Sequence, residues 1–376
     1  MTRDMERSTS LPIFVAFPEL RSAVGYTRLA TLPTRLESYR GKDAGLRLDT
    51  LMLKRDDRSG RAYGGNKVRK LEFLLGDALR TGARGVVTFG VAGSNHALAT
   101  SIYARVCGLE SYSMLTRQSN AAYVRRNLLM GLHAGARLIP CDSEAESVQA
   151  ARQLIREADG QGDLIISVPG GGSSPLGCLG FVNAGLELAE QIREQSLPQP
   201  DRIYLALGTA GTVAGLLLGL RLAGLSTQVT AVRVVREDIA RPERILGLLE
   251  GAGQLLGLDR ELDIGLPEIR HEFFGPGYAR FTPEGVAAME VARRTLGLKL
   301  EGTYTGKAFA ALLEDCRNGR LEGKNVLFWN TYNSVPLPPE ALAEDYRTLP
   351  EDFHYYFRQP LQPLDPEAGE DVTRSE

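Results

Sequence analysis

Lysine is scarce in this chain. It occurs only at Lys42, Lys54, Lys67, Lys70, Lys299, Lys307 and Lys324, although lysine and arginine together number 44. Chemistry that needs an ε-amine therefore has few places to happen. The run Gly64-Gly65-Asn66-Lys67-Val68-Arg69-Lys70 is the best of them. Two glycines let the backbone bend sharply and approach a ligand closely. Lys67 then stands at the start of an expected helix, Val68–Leu79, with Lys70 one turn further on. Desolvation and a neighbouring cation lower a lysine pKa, and a neutral amine is the nucleophile that forms Schiff bases. An ordinary solvated lysine at a helix start would present the same short pattern, so the run alone leaves both readings open.

Further runs could cooperate with such an amine. In Gly93-Ser94-Asn95-His96, Ser94 can cap the following helix and leave backbone N–H groups for a small carboxylate. In Gly208-Thr209-Ala210-Gly211-Thr212, small residues between a strand and a helix expose successive N–H groups at the positive end of the helix dipole. This is the best phosphate cup in the chain. Gly302-Thr303-Tyr304-Thr305-Gly306-Lys307 nearly imitates a nucleotide loop but is one residue short, and Ala308 replaces the magnesium-binding hydroxyl. What remains there is a phenol and a hydroxyl at a helix start. Each of these runs is also compatible with a plain cap or tight turn.

Other chemistries lack support. A formal net charge of −2 and the absence of a long Lys/Arg run argue against a nucleic-acid binder. The four cysteines, Cys107, Cys141, Cys178 and Cys316, are scattered without a C-x-x-C pair and are expected to be reduced thiols. The histidines His96, His133, His271 and His354 form no H-E-x-x-H, so no metal site is expected. Met1–Ser10 lacks a signal-peptide shape and no apolar run reaches membrane-spanning length, which favours a cytoplasmic protein. The Pro-rich, acidic stretch from Pro360 is expected to be mobile.

The elements that must hold these runs alternate. Val86–Phe89, Ser111–Leu115, Arg137–Pro140 and Leu164–Val168 read as strands, separated by helices at Asn95–Cys107, Tyr123–His133 and Glu144–Ala158. A second alternation follows, with strands at Arg202–Leu207, Gln228–Val235 and Asn325–Trp329. Its helices fall at Leu176–Glu194, Thr212–Leu222, Pro242–Leu256, Pro283–Leu296 and Thr305–Asn318. Short connections between alternating elements signify parallel sheets with helices on their faces. Ligands in such sheets sit beyond the carboxyl ends of the strands, which points to Gly90–His96, Pro169–Ser174, Gly208–Thr212 and the segment after Trp329.

Lys54-Arg55-Asp56-Asp57, Gly64–Lys70 with Leu71-Glu72, Ser94-Asn95, Pro175-Leu176-Gly177 with Gly180-Phe181, Gly208–Thr212 and Tyr304-Thr305-Gly306-Lys307 occur together in one order. That set resembles the 1-aminocyclopropane-1-carboxylate deaminase and D-cysteine desulfhydrase family, from about Leu11 to Leu337. The resemblance implies pyridoxal 5′-phosphate (PLP) as cofactor and a tryptophan-synthase-β-like fold: two open, twisted, mainly parallel sheets with flanking helices. It implies a homodimer and a small amino acid as substrate. Residues 11–80 and 181–357 would form a large PLP-binding domain, 81–180 a smaller α/β domain and 358–376 a mobile tail.

By the same resemblance, Lys67 carries the cofactor and moves the proton. Ser94 meets the substrate carboxylate or acts near its α-carbon, and Asn95 partners the ring hydroxyl. Gly208, Thr209, Ala210, Gly211 and Thr212 hold the phosphate, helped by Lys70. Tyr278 and Tyr304 match the active-site tyrosines. Cyclopropane ring opening goes with a Glu directly after the later tyrosine, at the pyridine nitrogen. Here that position is Thr305, and Thr331 stands where the desulfhydrase branch also has Thr. A hydroxyl keeps the ring nitrogen protonated less well than a carboxylate, which favours β-elimination of the D-cysteine type. Tyr332 and Asn333 replace two smaller glycines, and the expectation is that they close or reshape the pocket.

Overall fold

The computed structural model describes residues 11–258 and 264–368. Its strands are β1 (Leu36–Arg40), β2 (Thr50–Lys54), β3 (Gly85–Val91), β4 (Glu110–Thr116), β5 (Arg137–Cys141), β6 (Ile165–Val168), β7 (Arg202–Leu207), β8 (Gln228–Arg233), β9 (Glu268–Arg270) and β10 (Asn325–Trp329). They build a six-stranded sheet of order β1-β2-β10-β7-β8-β9 and a four-stranded sheet of order β5-β4-β3-β6. Every pairing is parallel except β1 with β2. The tryptophan-synthase-β-like architecture implied by the sequence is therefore the fold.

The central strands are apolar along their length because helices cover both faces, the usual condition of a parallel sheet. Ile203, Tyr204 and Leu205 of β7 and Val326 to Trp329 of β10 are fully buried. On one face of the large sheet, Ile203, Leu205 and Leu327 pack with Phe181, Val182 and Leu188 of the Pro175–Glu194 helix. On the other, Tyr204, Val326 and Phe328 pack with Phe309 and Leu312 of the Thr305–Arg317 helix. Pro at the first turn and a Ser174 side chain accepting from Gly177 N start the Pro175–Glu194 helix.

Three strands escape the sequence reading. In β1 only Leu36 is buried, Glu37 and Tyr39 are half-buried and Ser38 and Arg40 exposed, as suits the antiparallel edge position. β2 is short, and β9 has three residues.

The expected mobile tail is corrected over residues 358–368. Leu361, Gln362 and Asp365 are buried. Asp365 Oδ2 accepts from Ala122 N at 2.8 Å, and Glu367 pairs with Arg126. The acidic residues that suggested a solvated tail find a helix N-terminus and a cation. The rest of that stretch, 369–376, lies outside the described residues. No helix among the described residues is long and apolar enough to cross a membrane.

Candidate active site

The carboxyl ends of β3, β6, β7 and β10 point into one cavity of about 560 Å³. Lys67, Lys70, Ser94, Asn95, Gly208, Thr209, Ala210, Gly211, Thr212, Tyr278, Tyr304, Thr305 and Thr331 all line it. Residues separated by more than 260 positions in the chain thus meet around a single volume.

Lys67 opens the Lys67–Arg80 helix, and its Nζ lies 3.5 Å from the Gly171 carbonyl oxygen. Burial, with the Lys70 cation adding to it, pushes the Lys67 amine well below the ordinary lysine range. That is the state a Schiff-base nucleophile requires. The approach to Lys67 depends on Gly65, whose φ is +92° and whose absent side chain would meet the Thr331 carbonyl oxygen at 2.9 Å. Asn66 N donates to that same carbonyl at 3.1 Å, and Asn66 Nδ2 donates to Thr212 Oγ1 at 3.0 Å.

Beneath this helix start lies a buried ionic network. Arg69 forks onto Asp56 at 2.8 and 2.9 Å and onto Glu187 at 2.9 Å, while Lys54 Nζ reaches Glu187 at 2.5 Å and the Thr34 carbonyl at 2.8 Å. Burial alone would raise the Glu187 pKa. Arg69 and Lys54 overcome it and hold the carboxyl down at about 2. The Lys54–Asp57 run is therefore scaffolding below the pocket rather than part of its lining.

The cup after β7 begins with Ala210 in the left-handed region (φ 70°) and leads into the Gly211–Leu222 helix. Ser173 Oγ accepts from Gly211 N at 3.2 Å and lies 2.8 Å from Thr209 Oγ1. Lys70 Nζ sits beside it, 3.1 Å from Gly171 O and 3.3 Å from Ser173 Oγ. A Cβ on Gly211 would stand 2.6 Å from Ser173 Oγ and 3.0 Å from Lys70 Nζ. Only a residue without a side chain leaves this cradle open. Burial, reinforced by Arg244, brings the Lys70 pKa down to about 8.

Ser94 caps the Asn95–Val106 helix, accepting from Ala97 N at 3.1 Å. Asn95 Oδ1 accepts from Asn127 Nδ2 at 3.0 Å and Tyr63 Oη at 3.3 Å, so the Asn95 group not engaged in these bonds is its amide donor. His96 is buried behind them, Nε2 3.0 Å from Thr88 Oγ1. Burial, with the neighbouring Lys67 and Lys70 side chains adding to it, keeps its pKa well below the usual value, hence neutral. Opposite, the Tyr278 and Tyr304 hydroxyls are 2.5 Å apart, and burial raises both phenols, Tyr304 most.

Sequence reasoning missed Glu301 and Tyr63, and it held Asn66 and Ser173 only as members of the Gly64–Lys70 and Pro169–Ser174 runs. Glu301 is buried beside Thr305 and accepts from Thr303 N, Tyr304 N and Thr305 N at 2.8, 2.6 and 2.9 Å. Neither Glu301 nor Tyr63 stands in a pattern that marks it in the sequence. Tyr332 and Asn333 line the cavity without filling it. Asn333 Oδ1 accepts from Gly64 N at 2.7 Å and Val335 N at 3.0 Å, so its amide clamps backbone at the edge of the cavity and shapes it without closing it.

A buried neutral lysine, a cradle at a helix N-terminus with a second lysine, and an amide donor on the same cavity suit a phosphorylated aldehyde. Residues 27–331 match the family model described as pyridoxal-phosphate dependent enzyme. The chain belongs to that family. Its members' cofactor is the one this cavity fits: Lys67 would hold the aldehyde carbon, and Gly208–Thr212 with Lys70 the phosphate.

The pyridoxal-phosphate enzyme described here is 36% identical to nocardicin C-9′ epimerase of Nocardia uniformis subsp. tsuyamanensis, over 84% of this chain and 97% of that protein. It is 32% identical to D-cysteine desulfhydrase of Klebsiella pneumoniae (strain 342), over 86% of this chain and 96% of that one. A crystal structure of an ACC deaminase homologue, 29% identical, superposes with a TM-score of 0.74 over 89% of this chain and 99% of the other.

Proposed function

We propose that the enzyme catalyses β-elimination on D-cysteine or a related β-substituted small amino acid, with water releasing pyruvate, ammonia and, from cysteine, hydrogen sulfide. The observation that carries this reading is the Thr305 end of the pocket. Thr305 and Thr331 line it with hydroxyls. The nearby carboxylate of Glu301 is already engaged by three backbone N–H groups. Glu301 itself lines the cavity, but among the described residues at this end the groups left to a ring nitrogen are hydroxyls and not an unengaged carboxylate. PLP, when bound, supplies the electron sink for a carbanion at the α-carbon, and without a carboxylate at the nitrogen that sink is weak. A weak sink suits prompt loss of a β-leaving group over a long-lived carbanion.

The chain's own residues take the remaining roles. The neutral Lys67 amine accepts the α-proton, and Ser94 with the Asn95–Val106 helix N-terminus binds the substrate carboxylate. The Tyr278–Tyr304 pair, protonated at neutral pH, donates a proton to the departing group. Similarity to a D-cysteine desulfhydrase supports the substrate.

A second reading, epimerisation of an amino acid, is favoured by the similarity to nocardicin C-9′ epimerase. It is also favoured by the presence of two proton-handling sites, Lys67 and the tyrosine pair, on one cavity. One assay separates them. The PLP-loaded protein is incubated with D-cysteine and L-cysteine in D2O, and pyruvate and α-deuterium are followed. Pyruvate from the D-isomer is expected. Deuterium at the α-carbon without pyruvate would transfer the assignment to epimerisation, and neither product would overturn both.

A further inference from the structure

The segment from 332 onward lies beyond the family match, yet it returns to the site. After the Glu351–Arg358 helix the chain turns back, and the Gln362 carboxamide is engaged at both ends. Its Oε1 accepts from Phe281 N at 2.9 Å and its Nε2 donates to Ala279 O at 3.1 Å. These backbone groups lie one and three residues after Tyr278. Ala279 has φ 58°, in the left-handed region that residues with a Cβ seldom adopt. Such a backbone persists where its surroundings hold it.

The other side of the segment is anchored to the four-stranded sheet. Gln362 N donates to Asn120 O at 3.0 Å, and Asn120 Nδ2 donates to the carbonyls of Tyr356 and Gln359 at 3.0 and 2.8 Å. Asp365 receives Ala122 N, and Gln118 N donates to Tyr356 Oη at 3.0 Å. Residues 118–122 follow β4, in the sheet whose β3 leads to Ser94 and Asn95. Gln362 thus spans from that sheet to the tyrosine loop.

We infer that Gln362 is a positioning residue for Tyr278: its carboxamide fixes the Ala279–Phe281 backbone so that the Tyr278 hydroxyl stays on Tyr304. The inference rests on the role given to the tyrosine pair above.

The test uses the full-length, PLP-loaded protein with Gln362→Ala and Gln362→Glu. Glutamate still accepts from Phe281 N but cannot donate to Ala279 O. Hydrogen–deuterium exchange without substrate should accelerate about tenfold at 275–283 in Gln362→Ala, less in Gln362→Glu, and not at β3 or β7. On the amino acid turned over, kcat should fall about tenfold with KM little changed, and the fall should vanish in a Tyr278→Phe background. Unchanged exchange overturns the inference. So does faster exchange with unchanged kcat, or an equal fall in both backgrounds. The exchange measurement needs no substrate, so failure of the D-cysteine reading leaves the hold of Gln362 on the loop decided either way.

Discussion

Arg69 grips Glu187 through two hydrogen bonds of 2.9 Å, two residues beyond the lysine that lines the pocket. Both side chains are buried. The register of Lys67 at the cavity floor therefore depends on an ion pair from which water is excluded. Glu187→Gln leaves Arg69 and Lys54 short of an anion and should cost about 3–5 kcal/mol. The folded-state pKa of Glu187, about 2, lies below its ordinary 4.5. Its contribution is complete above 4.5 and is lost as pH falls toward 2. Urea unfolding at neutral pH and near the bottom of that window should show wild type and variant converging on acidification. Parallel curves would refute the assignment.

Lys67→Ala should abolish both the visible absorbance of bound cofactor and turnover. The Lys67 amine makes one long contact, to Gly171 O at 3.5 Å, so the fold should be spared. Absorption and circular dichroism on the same sample check this. An unchanged visible spectrum would remove Lys67 from its role.

The phosphate cup can be probed apart from Lys67 with pyridoxine 5′-phosphate, which has no aldehyde. Losing the charged partner in Lys70→Met should weaken its binding by about 10- to 100-fold. Lys70 in the free protein titrates at about 8. Affinity should therefore decline as pH rises above that value in wild type, because the cation is lost, and should not follow that course in the variant. Fluorescence titration across pH 7–10 measures both. Gly211→Ala, which places a Cβ 2.6 Å from Ser173 Oγ, should weaken binding at every pH.

Tyr304 is held protonated by burial and by Tyr278, well above the usual phenol range. It can donate a proton at neutral pH and cannot serve there as a base. Tyr304→Phe should lower kcat by about 10²-fold or more. The wild-type pH–rate profile should show no falling limb from this phenol below pH 10. A limb present in wild type and absent in Tyr304→Phe would contradict the assignment.

Much of this was legible before any coordinates. Arg202–Leu207 and Asn325–Trp329 are bounded apolar runs of strand length between helical segments, and they appear with the expected limits. Ser94, Pro175 and Pro283 marked helix starts by cap chemistry. Ser94-Asn95, Gly208–Thr212 and Thr331 were legible as site residues because they follow β3, β7 and β10, whereas Lys67, Tyr278 and Tyr304 were legible through the motifs around them. What was not legible depended on partners far away in sequence. Leu36–Arg40 becomes a strand because Thr50–Lys54 pairs with it, not because of its own pattern. The acidic C-terminal stretch reads as solvated until Ala122 N and Arg126 are placed beside it. Asn333 reads as bulk until Gly64 N is seen to use its oxygen.

Asn66 N rests on the carbonyl of Thr331, Lys67 on that of Gly171, and Asn66 Nδ2 on Thr212. A chain leaving the ribosome from its N-terminus exposes Lys67 first and delivers Thr331 only 264 residues later. The nascent chain consequently has no complete place for its vitamin-derived partner until the last strand of the large sheet is threaded between β2 and β7. Colour acquired by the protein should then trail the appearance of the four-stranded sheet.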